Sequence, residues 1–139
     1  MLIYDDIFNW EGFGGKLRLA SGKCRLKIFD LAKNGIKGLA HIRPIVVIAS
    51  DVPGSKMSVR SCSSHIASMI AGKFNIDPHR MQFIEYYPPV VYGEKKERTI
   101  PEKYEVVEFT WNDNKALKPR WRRLEPPMLD KVKQLMEGV

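Results

Sequence analysis

The sequence predicts an α+β fold: a single domain over residues 1–139, built on a mixed β-sheet of about six strands. It carries an N-terminal basic hairpin, one central amphipathic helix in a β-α-β unit, and a short C-terminal helix. Three observations predict this. Apolar and polar residues alternate with a period of two near both ends of the chain, as half-buried strands require. Between residues 44 and 87 an apolar run, a stretch of helical spacing and a second apolar run follow one another. The last residues form a short amphipathic stretch opened by proline and closed by glycine.

Taken in order, residues 2–8 alternate loosely and form a first strand, broken by glycines at 12, 14 and 15. The clearest alternation covers 16–31. Lys16, Arg18 and Ala20 point one way and Leu17 and Leu19 the other; beyond Ser21-Gly22, read as a turn, Lys23, Arg25 and Lys27 alternate with Cys24, Leu26 and Ile28. A two-residue period on both sides of a glycine turn is a hairpin signature with one wet and one dry face. Residues 33–42 read as a loop. Residues 44–49 are apolar and rich in β-branched side chains, which suits an interior strand covered on both faces. Over 58–74, Val59, Cys62, Ile66, Met69, Ile70 and Phe74 recur at helical spacing, with Ser58 placed to cap the start. Residues 81–87 form the next strand, parallel to the first of the unit because a helical crossover joins them.

Residues 93–103 are polar and read as an exposed loop. In 104–111, Tyr104, Val106, Glu108 and Thr110 share one face and Glu105, Val107, Phe109 and Trp111 the other. A turn at 112–114 precedes a basic, irregular linker at 115–124. In 127–137, Pro127 opens a helix with a stripe of Met128, Leu129, Val132, Leu135 and Met136.

Composition narrows the class of function. Hydrophobic residues are 44% and charged residues 28%, enough apolar side chain for a core, which excludes a disordered chain. No apolar run approaches the ~20 residues of a membrane-spanning helix. Two cysteines are too few for a disulfide framework or a dedicated zinc site. A cytoplasmic location, no membrane contact, no metal and no cofactor are the expectations. The net charge is +7 and uneven: residues 1–80 hold 12 basic and 6 acidic side chains, and residues 81–139 hold 11 and 10. A positive field of this kind draws acidic partners such as nucleic acid.

Four constellations could carry chemistry. Lys16, Arg18, Lys23, Arg25 and Lys27 would project from one face of the hairpin, an arrangement suited to a phosphate backbone or, equally, to a solvated face protected against edge pairing. In 115–123, Lys118, Arg120, Trp121, Arg122 and Arg123 combine cations with an aromatic ring. The indole could stack on a base of a single strand, or plug the core between the last strand and the terminal helix. Lys56, Ser58, Arg60 and Ser61 surround the start of the central helix within an acid-free window, residues 52–76, and form a candidate anion site. The competing arrangement is a start capped by Ser58 and balanced by Asp51. Cys62 and His65, three apart on one helix, are weak candidates for a nucleophile and its base. Tyr86, Tyr87 and Tyr92 crowd a proline-rich strand end and could form a protein contact or a self-association edge.

The expected function is a small basic binding protein, non-catalytic, contacting nucleic acid through the hairpin, the helix start and the Arg-Trp-Arg segment. The alternatives are an interaction module or oligomer subunit without a nucleic-acid role, and a small-molecule enzyme with an anion pocket at the central helix.

Overall fold

The computed structural model describes residues 1–11, 21–31 and 43–138. A six-stranded mixed sheet in the order β1-β2-β3-β4-β7-β8 divides the chain into three layers. Its strands are β1 (Leu2–Glu11), β2 (Ser21–Asp30), β3 (Ile45–Asp51), β4 (Met81–Tyr87), β7 (Lys103–Asn112) and β8 (Lys115–Arg123). A separate two-stranded ribbon, β5 (Val90–Tyr92) and β6 (Arg98–Ile100), lies between β4 and β7 in sequence. Helix α1 (Ser63–Lys73) covers one face of the sheet and α2 (Met128–Glu137) the other. No described helix is long and apolar enough to cross a membrane.

The α1 face is built from the inward residues of five strands of the sheet, Phe8 and Trp10, Cys24, Leu26 and Ile28, Val47 and Ala49, Phe83, and Val107, with Ala116 and Trp121 of β8 packed at its margin. Ile66, Ala67 and Ile70 pack down on them. The α2 face is smaller. Phe29, Val46, Ile48, Ile84, Tyr104 and Val106 meet Leu124 and Val132. Strands β3 and β4 are the parallel pair, joined through α1 as the β-α-β reading requires, and their covered faces explain why both read as apolar runs.

Ser58 Oγ accepts from Ser61 N at 3.1 Å just ahead of the helix, while the N-cap positions themselves, Val59 of the first turn and Cys62 of α1, have no side-chain cap. The first turn is tighter than an α-helix, a 3-10 turn at Arg60–Cys62. Beyond Lys73 the chain reverses at Asn75, which holds a φ of 52°. The faces of β7 are those its alternation predicts.

Three expectations change. First, Ser21 and Gly22 are not a turn. They lie within β2, opposite Glu11 and Trp10 of β1, so β2 takes β1 as its antiparallel partner. The predicted strand at 16–20, with Lys16 and Arg18, lies outside the described residues. Gly22 is glycine because the Trp10 ring crosses it; a Cβ there would clash with Trp10 Cζ2. Second, the basic linker is a strand. Asp113 and Asn114 both adopt positive φ, 48° and 65°, and this two-residue turn sends β8 straight back along β7. A register irregularity near Trp111 blurs the alternation in sequence, and Pro119 is tolerated because β8 is an edge. Third, the loop at 93–103 contains β6. The register that pairs Tyr87 with Lys103 runs on unbroken to Val90 with Ile100, so β5–β6 is the β4–β7 hairpin continued past the sheet. Pro88, Pro89 and Pro101 remove ladder donors where the arm leaves the sheet.

Gly22→Ala forces Trp10 to move inside a filled core and should cost about 1–3 kcal/mol. The melting temperature should fall by roughly 5–15 °C. An unchanged melting curve would show that the ring has room to shift.

Candidate functional site

Strand β8 owes its position to a carboxylate buried in the middle of the sheet. Glu85, on β4, is 1% exposed and points to the α1 face. Three donors reach it from three elements. Trp121 Nε1 on β8 donates to Oε1, Ser63 Oγ on α1 lies 3.0 Å from Oε1, and Tyr87 OH donates to Oε2 at 3.2 Å. Burial raises the Glu85 carboxyl above its ordinary range; the donors and the nearby Arg60 charge offset only part of that.

A second shell of charge surrounds this group. The Arg60 guanidinium lies over the Trp121 ring, 4.4 Å from its centre, and bonds Glu105 at 3.1 Å. Lys103 binds the same carboxylate at 2.8 Å and lies over the Tyr87 ring. Burial would raise Glu105 as well, but the Lys103 and Arg60 partners outweigh it and hold the carboxyl below its usual range. The network satisfies itself. It ties β8 and the start of α1 to β4, with the Trp121 N–H and the Tyr87 hydroxyl directed to Glu85.

This corrects the stacking role of Trp121. Its ring is half-buried against the α1 core, one face lies beneath Arg60, and its N–H belongs to Glu85. The ring does enter a core, but the one under α1 and not the expected one between the last strand and the terminal helix, which packs on the other face of the sheet. The same anchoring turns its neighbours outward. Because side chains alternate, Lys118, Arg120 and Arg122 project on the α2 side of the sheet, opposite Thr110, Glu108 and Val106. All three are exposed, as are Lys115 and Arg123. Arg122 bonds Glu108 at 2.9 Å, an exposed pair of small energy. Among the described residues, Lys115, Lys118, Arg120 and Arg123 make no ion pair.

The other basic segments do not join them. Lys23, Arg25 and Lys27 also face the α2 side, but β2 is four strand spacings from β8, roughly 19 Å, with the apolar cluster under α2 between. Arg25 is already bound to Asp5. Lys23 instead meets Lys56 at a cleft of about 490 Å³ that Trp10, Gly22, Gly54 and Ser55 also line. At the helix start, Val59 N donates to Asp51 at 2.7 Å and Ser61 N to Ser58, while Arg60 is turned to Glu105. Of the residues proposed for an anion, Ser58, Arg60 and Ser61 therefore have partners within the chain, while Lys56 lines the cleft beside Lys23. Cys62 is buried, and burial raises its thiol, the reverse of what a nucleophile needs. His65 lies 3.4 Å from the Glu11 carbonyl. Tyr86 bonds Glu102, Tyr87 belongs to the Glu85 network, and Tyr92 alone of the three tyrosines is exposed.

Glu85, Ser63 and Glu105 have no counterpart among the residues expected from sequence. The signal for Glu85 was present: it follows Met81 and Phe83 on the apolar phase of β4, where a charge needs a buried partner. The chain matches no protein-family model, no curated protein and no solved structure.

Because its carboxyl is raised in the fold, Glu85 contributes stability that is fully present at acid pH and is lost as pH rises through its folded-state value. The stability of Glu85→Gln relative to wild type should therefore increase from about pH 4 to pH 8. Thermal melts of both proteins across that range test this; a constant difference would remove the burial argument.

Proposed function

We propose that this chain is a small basic binding protein that contacts a phosphate backbone through the β8 edge. One observation carries the reading: the outermost strand of the sheet holds five exposed cations in nine residues and no acid. Lys118, Arg120 and Arg122 stand in a row at intervals of about 6.6 Å, two residues along a strand. Such a row can follow a chain of phosphates without reading bases. Lys115 adds a further exposed cation at the start of the strand, Arg123 lies on the opposite face across from Glu105, and the net charge of +7 steers polyanions toward the molecule.

Edge protection is compatible with this role. Pro119 cannot donate to β7 or to an added strand, and the cations repel a strand of similar charge, so β8 presents side chains rather than backbone. With Trp121 committed to Glu85, binding relies on charge and is tolerant of sequence.

Fluorescence anisotropy with labelled single-stranded and duplex oligonucleotides tests the proposal. Affinity should fall steeply between ~50 and ~200 mM salt, and the triple variant Lys118→Ala/Arg120→Ala/Arg122→Ala should flatten the log–log slope by roughly 2–3. Trp121→Phe should leave the ratio of single-strand to duplex affinity unchanged. Equal wild-type affinity at both salt concentrations would defeat the proposal.

A further inference from the structure

Two strand edges other than β8, the β5–β6 arm and β1, carry exposed apolar side chains. The first is the β5–β6 arm. Every residue of 88–103 is exposed, and among the described residues neither hydrophobic cluster includes a side chain of the arm. It nevertheless carries Val90, Val91, Tyr92 and Ile100, at 41–51% exposure. Val90, Tyr92 and Ile100 share one face and Val91 occupies the other. An isolated two-stranded ribbon is marginal in water, and one apolar on both faces is suited to being held.

The second is β1, the opposite edge of the sheet from β8. Among the described residues it has a neighbour on one side only. It has no proline and no basic residue, and after an irregularity at Leu2–Tyr4 its residues 4–11 pair in unbroken register. It exposes Ile3 at 52%, beside Met1 at 58%. Of the seven exposed large hydrophobic side chains among the described residues, six lie on the arm, on β1 or at the residue before it.

Charge selects the pairing. Asp5, Asp6 and Glu11 make β1 acidic, while the arm carries Lys95, Lys96 and Arg98 against Glu94 and Glu97. Pairing β1 with a second β1 would set acid against acid, which is unfavourable across a strand pair. Pairing the arm with β8 would set cation against cation, at an edge already interrupted by Pro119. Only the arm and β1 combine apolar contact with opposite charge.

We infer that the β5–β6 arm of one copy adds as a strand to the β1 edge of a second copy of this chain. A two-fold axis lets each copy give its arm and receive the other's, so the same two surfaces are used twice and the assembly closes. This inference is independent of the phosphate-backbone reading, whose cations lie on the far edge.

Light scattering after gel filtration of the full chain tests it with two charge-reversed proteins, Asp6→Lys/Glu11→Lys and Lys95→Glu/Lys96→Glu. All four positions are exposed, and circular dichroism checks that the fold is kept. Wild type is expected at the mass of two chains. Each variant alone is expected at the mass of one, since its homodimer opposes like charges at both contacts. An equimolar mixture is expected to return to two, because both contacts of the mixed dimer are complementary. A wild-type mass of one chain overturns the inference. So does a dimer that survives in either variant, which would assign association to another surface, or a mixture that stays monomeric.

Discussion

A single buried carboxylate organises the half of the molecule that carries the cations. Glu85 lies in the middle strand pair with no route to water. Taking a carboxylate out of water costs several kcal/mol unless hydrogen bonds and opposite charge compensate. That requirement reaches across three elements. It holds Ser63 at the beginning of α1, Tyr87 at the end of β4 and the indole of Trp121 on β8, two strands away. Glu105 and Lys103 then complete the charge balance around Arg60. Strand alternation does the rest: with Trp121 fixed inward, Arg120 and Arg122 have only the opposite face.

The sheet's two edges follow different physical rules as a result. At β8, a proline and a line of cations suppress backbone pairing and leave charge as the means of contact. At β1, eight residues pair with β2 in register, no strand lies on the outer side among the described residues, and the strand holds no basic residue. The β5–β6 arm belongs to the second kind. Its prolines separate it from the main ladder, so its few apolar residues gain nothing from the core. The proposed charge contact at β8 and the proposed strand contact at β1 lie on opposite edges of the sheet.

The parts of the fold governed by local pattern were legible in the sequence. The parallel β3–β4 pair, the helix between them and the faces of β7 all follow from periodicity. Long-range pairing was not legible in the same way. Ser21-Gly22 has turn composition, yet its glycine serves a contact with Trp10 on another strand, and only the folded partner reveals that. The segment at 115–124 resembled a linker because its apolar phase holds Ala116, Pro119 and Trp121 rather than β-branched residues, with a slip in register near its start. The candidate site was legible as charge and illegible as geometry. Five of its cations stand together on β8, while those of β2 and the helix start point elsewhere or are already paired.

Trp121 shows why composition alone misleads at this edge. Stacking a base on a free indole is worth about 1–3 kcal/mol. Withdrawing this indole to do so would remove one donor from a buried charge, which alone costs about 1–3 kcal/mol or more. It would also uncover the face that Arg60 occupies, a contact worth about 0.5–2 kcal/mol in such settings. The intramolecular use therefore wins or at worst matches the ligand, before any cost of distorting β8 is counted. An aromatic ring between arginines is consequently no stacking platform when a buried acid stands within its reach. In this chain the acid lies thirty-six residues earlier in sequence, on the strand two places inward.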